Sequence, residues 1–313
     1  MAKDHPKVVT KGLQIKKAGN AIVKLLGGRE GHPINVRVGG FYRIPDAAEL
    51  AILREELLPA RDLAVETVRW AASLPFPRFE RDKADQYEFV ALSDPSEYPM
   101  NHGRIVSSRG LNISVDDYDA TFREEHVEHS NAMHSYLVDR GAYFVGPMAR
   151  YNLNYAQLSP LVRQTAEDAG VPPYCANPFE SIVVRSLEVL YAFDEALRII
   201  DNYSRPEQPY LPAKPAAATG CAATEAPRGL LFHRYGIDGA GKISDAKIVA
   251  PTSQNQKTIE DDLGLMLPKY MHLPEASLRA QCEQAIRNYD PCISCSTHFL
   301  KLDVQKGRRV DDG

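Results

Sequence analysis

No run of about 18 consecutive apolar residues occurs in this 313-residue chain, so the sequence offers no membrane-spanning helix. The opening residues, Met1-Ala2-Lys3-Asp4-His5-Pro6, lack the apolar stretch of a secretory signal, and a cytoplasmic location is the expectation. Long blocks of lysine and arginine are missing, aromatic residues are not interleaved with basic ones, and the net charge is −4. Nucleic acid is therefore disfavoured as a partner. Cysteine is scarce and odd in number: the five, at 175, 221, 282, 292 and 295, do not make a disulfide framework in a chain of this length. Reduced thiols fit better, which leaves Cys292 and Cys295 open to a metal. What is present is ordinary for a globular protein, 44% apolar and 25% charged, with length enough for one large domain or two smaller ones.

Hydrophobic spacing predicts a mainly α fold with small β elements. Val8 to Leu26 carry apolar residues at helical intervals, closed by Gly27-Gly28. Turns and a short extended piece follow through Asn35–Gly40; the Gly39-Gly40 pair is too weak a signal for a phosphate loop, and Arg29 and His32 read equally well as polar residues at a turn. Asp46 is a candidate N-cap for a helix over 46–72, broken or kinked at Pro59. Residues 86–92 alternate as a strand does, and Arg104–Val106 and Leu111–Val115 add two extended pieces. Residues 116–138 read as a charged helix, with Glu125, His126 and His129 on metal-capable spacing. Such a run is more often a solvated face or a partner contact. Helices are predicted over 152–169 and 178–202, the second apolar around much of its circumference and so central. A proline- and alanine-rich crossing occupies 204–219. A β-hairpin near 230–250 comes next, ending at Pro251-Thr252-Ser253-Gln254-Asn255, and helices over 256–267 and 275–289 complete the chain.

Those last helices deliver the chain to Asp290-Pro291-Cys292-Ile293-Ser294-Cys295-Ser296-Thr297-His298. Two thiols three residues apart can face one soft metal, and a histidine three further on adds a nitrogen. Alone, the pattern suits zinc, iron–sulfur, nickel or redox chemistry and leaves the coordination half filled. Upstream stand Glu225-Ala226-Pro227-Arg228-Gly229 and Ala250-Pro251-Thr252-Ser253-Gln254-Asn255. Taken singly, Arg228 reads as a surface ion pair and Thr252 as a strand end.

The three segments in this order resemble the large subunit of the nickel–iron hydrogenases, and more closely its soluble, multi-subunit cytoplasmic branch. Gly28-Arg29, His32-Pro33 and Val38-Gly39-Gly40-Phe41-Tyr42 belong to the same resemblance, which covers essentially the whole chain. It implies a helical large-subunit core and oxidoreductase activity, the heterolytic cleavage or formation of dihydrogen. It also implies a Ni-Fe centre on cysteines, with carbon monoxide and cyanide on the iron. Carried over by position, Cys292 matches the terminal nickel ligand and a candidate proton acceptor, and Cys295 the bridging ligand. Arg228 matches the arginine over the open metal position; its cation suits an electrostatic role, since a guanidinium is a poor base. Pro251 and Thr252 match the residues beside the iron cyanide, Thr252 by its hydroxyl. His298 and the Ile248 carbonyl match ligands of a Mg2+ ion. Thiolates are soft anionic donors and suit nickel and low-spin iron.

The implied partners are an iron–sulfur small subunit, electron-carrier subunits and a maturation protease that cuts after His298. Residues 1–298 then form one large-subunit-like domain and 299–313 a removable extension. The family's other Cys-x-x-Cys has no counterpart here, and Met1 reads as the interior of the family sequence, so an N-terminally truncated form is expected. By itself it is expected to hold no stoichiometric nickel. Cys221, close to Arg228 in sequence, is either a third thiolate or, more in keeping with its surroundings, a small packed residue. The alternatives are a non-catalytic remnant, a metal-free relative serving as a subunit of a redox complex, and a zinc module recruiting Cys282 and His298. The retained Cys292, Cys295, Arg228 and His298 argue against the metal-free relative.

Overall fold

The apolar spacing of the first segment becomes helix α1 (Pro6–Gly27), which ends on Gly28 in the left-handed conformation. In this computed structural model residues 3–82 and 86–292 are described; Cys295, His298 and residues 299–313 lie outside the described residues. Strands β1 (Val36–Arg37) and β2 (Gly40–Phe41) form a small hairpin. The crossing segment lies against it: the Leu211 amide donates to the Gly39 carbonyl at 2.9 Å and the Phe41 amide to that of Pro209 at 2.9 Å. This explains the glycine pair. Gly39 has φ 87°, and a Cβ there would stand 2.0 Å from the Leu211 carbonyl oxygen.

Helix α2 (Ala47–Ala72) begins with the predicted Asp46 cap, which accepts from the Glu49 amide while the Glu49 carboxylate accepts from the Asp46 amide. Of the break or kink expected at Pro59, the break does not occur; one helix runs through it. Pro59 and Glu55, the residue whose carbonyl loses its partner, both face solvent, where water can satisfy that oxygen. The other face of α2 buries Leu53, Leu57, Ala60, Ala64 and Val68.

Strands β3 (Val90–Ser93), β4 (Arg104–Ser107) and β5 (Asn112–Ile113) make an antiparallel sheet, as the extended pieces predict, though β3 starts later than the alternation suggested. The helix expected over 116–138 is not there. A 3-10 turn at Val115–Asp117 leads into one turn of helix, α3 (Tyr118–Thr121), and then the hairpin β6 (Phe122–Glu125) and β7 (His134–Leu137). Aromatic stacking decides this. The Tyr118 ring lies between Phe122, 4.4 Å away centre to centre, and Phe232, 3.9 Å away, so Phe122 must turn into the sheet core.

The helix expected over 152–169 is two, α4 (Pro147–Asn154) and α5 (Pro160–Asp168). Pro160 starts the second, with the Ser159 hydroxyl accepting from the Val162 amide at 3.4 Å. Helix α6 (Ser181–Asp201) is the central apolar helix and packs along α2. The hairpin near 230–250 is present but gains a strand: β8 (Ala218–Ala226), β9 (Gly229–Ile237) and β10 (Ile243–Val249) form one antiparallel sheet with β9 in the middle. Helix α7 (Pro251–Tyr270) starts at Pro251, earlier than predicted, and α8 (Glu275–Arg287) follows. Two hydrophobic cores result, one between the helices and one under β8–β10 around Tyr118, Phe122, Leu230 and Phe232. Among the described residues no helix is long and apolar enough to cross a membrane.

Candidate metal centre

The Glu-Ala-Pro-Arg-Gly segment is the tip of the β8–β9 hairpin, where Ala226 pairs with Gly229 and Pro227-Arg228 make the corner. Two glycines let this tip seat on the chain before α4. Gly146 has φ 121° and Gly229 φ 135°; a Cβ on Gly146 would stand 2.7 Å from the Arg228 carbonyl oxygen, and one on Gly229 2.7 Å from the Gly146 nitrogen.

A buried guanidinium clamps the same tip. Arg150 of α4 donates to the Ala226 carbonyl at 2.8 Å and the Pro227 carbonyl at 3.2 Å. It also reaches the Glu225 carboxylate at 2.9 Å and grips Glu188 of α6 through Nε at 2.7 Å and Nη2 at 2.6 Å. The second Glu225 oxygen accepts from the Leu92 amide at 2.8 Å, and Tyr98 donates to Glu188 at 2.6 Å. Burial pushes the Glu225 carboxyl up, against the opposing charge of Arg150. A charge this deep persists only because its partners are in place.

Four anchors hold the segment that carries Cys292. Ser181 at the start of α6 donates to the Asn288 carbonyl at 2.6 Å. The Tyr289 hydroxyl donates to Asp262 of α7, whose carboxylate also accepts from Tyr87 at 2.7 Å and from Arg81 Nε at 2.8 Å. Arg228 Nε donates to the Asp290 carbonyl at 2.6 Å. The Cys292 amide faces the Thr252 hydroxyl oxygen at 3.5 Å. Asp290 turns the chain in a left-handed conformation, φ 49°. Its carboxylate stands 3.8 Å from Arg228 and 3.5 Å from Arg185, so two cations share one anion. Burial depresses Arg185, with Asp290 opposing. Helix α7 is set in turn by Asn255, which bonds the Val145 amide and carbonyl at 2.9 Å each, and by Thr258, which donates to the Tyr143 carbonyl at 2.7 Å.

The structure thus gathers Arg228, Thr252 and Cys292, three residues far apart in sequence, at one corner. Pro251, buried, is the first residue of α7, and Ile248 lies opposite His233 on β10 with an exposed side chain. Cys221 does not join them. It sits opposite Arg234 on β8, and five extended residues carry it about 17 Å from Ala226. It packs on the sheet core, a small packed residue. Cys282 is buried on α8. Cys175 is buried beside Glu180, and burial with that carboxylate pushes its thiol up to about 12, so it is an inert thiol. The described donor set at the corner is the Cys292 sulfur with a hydroxyl and a guanidinium around it. That chemistry fits a soft, thiolate-bound metal with anionic or polar ligands. Arg150, Glu188, Arg185, Asp262 and Tyr289 went unnoticed in the sequence. Their one sequence signal is the charge of Arg185 and Glu188 in the apolar first half of α6.

A family model described as nickel-dependent hydrogenase matches residues 138–298. Sulfhydrogenase 1 subunit alpha of Pyrococcus furiosus is 27% identical over 304 residues, covering 96% of this chain and 70% of that protein. The beta subunit of the NAD-reducing hydrogenase of Cupriavidus necator is 27% identical over 327 residues, covering 95% and 66%. Among solved structures, an NAD+-reducing [NiFe]-hydrogenase in the H2-reduced state superposes with a TM-score of 0.76 at 20% identity, over 95% of this chain and 70% of that one. The Ni-Fe-Se hydrogenase of Desulfomicrobium baculatum gives 0.70 at 18% identity, over 93% and 69%. At these identities the superpositions establish the fold.

Proposed function

The chain belongs to the nickel-dependent hydrogenases, and from that premise we propose that it is a catalytic large subunit splitting or forming dihydrogen heterolytically at a Ni-Fe centre. The observation that carries this reading is the corner where Arg228, Thr252 and Cys292 meet. Cys292 and Cys295 are the chain's thiolate ligands. A nickel–iron centre bearing carbon monoxide and cyanide, once bound, supplies the acceptor for the electron pair of dihydrogen.

The chain's own residues do the rest. Cys292 Sγ takes the proton, passing from thiolate to thiol. Arg228 holds a fixed positive charge at the open side, its Nε tied to the Asp290 carbonyl so that its terminal nitrogens are aimed by the backbone. A cation placed in advance favours charge separation more than one that must reorient. Thr252 Oγ1 and the start of α7 after Pro251 would offer donors to a cyanide ligand of that centre, and His298 with the Ile248 carbonyl would hold a Mg2+ ion. The partners are an iron–sulfur small subunit and further electron-carrier subunits in the cytoplasm. Their contact is better served by the exposed apolar group Ile34, Val36, Val38, Tyr42 and Leu211 than by the charged 116–138 segment. A maturation protease removes residues 299–313 after His298.

The test uses the subunit assembly purified without oxygen. Infrared bands of metal-bound carbon monoxide and cyanide and one nickel per assembly are expected, and Cys292→Ser loses the nickel and hydrogen uptake. Uptake unchanged in Cys292→Ser overturns the assignment. An assembly with neither metal favours the non-catalytic remnant.

A further inference from the structure

The charged segment before β7 contains histidines that a helix would have placed on one face as His126 and His129. The β6–β7 hairpin makes a different set. It turns the loop back so that His129 meets His134, with ring centres 5.9 Å apart, and both face Glu260 of α7. His129 Nε2 lies 3.0 Å from Glu260 Oε1, and His134 Nε2 lies 3.3 Å from the same oxygen. The three donor atoms are all within 4.8 Å of one another. Among the described residues this is the one group of three or more metal-capable side chains.

We infer that His129, His134 and Glu260 form a binding site for a divalent ion of the zinc type, separate from the Cys292 corner. Three observations carry this. A tetrahedral ion with bonds of about 2.0–2.1 Å requires donors roughly 3.3 Å apart, close to the spacings that already stand here. His134 is almost fully buried, 1% exposed, and its Nε2 makes no hydrogen bond of acceptable geometry despite lying beside Glu260. A buried imidazole nitrogen aimed into a cluster without a bond is costly unless something occupies the space before it. The surroundings are also negative. Glu125 is paired across the hairpin with His134, and the Glu125, Glu260 and Asp261 carboxylates act on Tyr136; Arg123 pairs with Glu125 and Lys257 with Asp261, which leaves Glu260 to the two histidines. Two imidazoles and a carboxylate select zinc, cobalt or nickel over magnesium or calcium.

Three protein ligands leave a fourth position for water. The ion pins the loop between β6 and β7 to the middle of α7, the helix whose first turn carries Thr252. It acts as a clip on the outer wall of the corner.

The full chain should take up one equivalent of Co2+ at this site, giving the visible ligand-field bands of nitrogen and oxygen ligation without a thiolate charge-transfer band. Zn2+ should raise its melting temperature. His129→Ala, a change at a side chain 66% exposed and so harmless to folding, should weaken Co2+ binding by at least about a hundredfold. Glu260→Gln, which preserves shape, should do the same. Cys292→Ser should leave it unchanged, which separates this site from the nickel–iron reading. Unaltered Co2+ affinity in His129→Ala and Glu260→Gln, or a spectrum of thiolate ligation alone, overturns the inference.

Discussion

Arg150 is the side chain on which the Glu-Ala-Pro-Arg-Gly tip depends. Its guanidinium is 2% exposed, Glu225 is wholly buried and Glu188 nearly so, and the arginine also holds two carbonyls of the tip. Arg150→Met removes the cation and strands both carboxylates. The loss should be about 3–5 kcal/mol, read from the urea midpoint; a loss under about 1 kcal/mol would mean that water reaches the carboxylates. The residues proposed to touch the reaction, Arg228, Thr252 and Cys292, were legible in the chain because motif order marks them. Those that position them were not. Arg150, Arg185 and Asp262 act on partners up to 181 positions away, and no local pattern announces such a partner.

Among the elements, α1, α2, α6 and α8 follow from hydrophobic period and caps, as local signals allow. The misreading of 116–138 has a physical source. A run of glutamates and histidines favours a solvated helix, but Tyr118 and Phe122 pack on Phe232, which lies over a hundred residues on. Strand β8 was hidden for the opposite reason: Ala218-Thr219-Gly220-Cys221-Ala222 has little intrinsic strand preference and is held by pairing with β9. Asp119 ties the first of these pieces to the same sheet, meeting Lys247 of β10 at 2.6 Å and, closer still, Arg234 of β9. Partial burial pushes its carboxyl up, but the bonds and charges of Lys247 and Arg234 outweigh this and hold it below the usual carboxylate range. A depressed carboxyl stabilises the fold above its unfolded titration, near 3.9, and that stability is lost as the pH falls through the lowered value. Asp119→Asn should therefore cost roughly 0.5–1 kcal/mol at pH 7, after solvent screening, with the gap to wild type narrowing as the pH falls below the unfolded titration and closing below the depressed one. A gap that stays the same size down to the most acid pH at which the fold persists, in urea titrations at each pH, would rule out the linkage.

At the scale of the molecule, the Cys292 segment is tied to α6, α7 and the β8–β9 tip at once. Tyr289→Phe removes one hydroxyl from the Asp262 cluster while keeping the ring packed on Phe144. It should cost about 1–2 kcal/mol and lower the nickel content of the purified assembly. Unchanged nickel loading with the expected loss of stability would show that the remaining anchors suffice. The broad architecture was readable as helices with a small sheet, but which surfaces meet at this corner is a property of the packed whole.

The arrangement of Asp262 has a bearing on the order of assembly. Its carboxylate gathers Arg81 and Tyr87 from the early chain and Tyr289 from the late chain, so the complete cluster forms only after the two ends of the sequence have come together. Closing such long loops carries an entropic cost that must be met first. The anchoring of the thiol-bearing segment consequently depends on distant contacts as well as on its neighbour α7. A change that keeps Arg81 or Tyr87 from Asp262 is therefore felt at the Cys292 segment, far along the sequence.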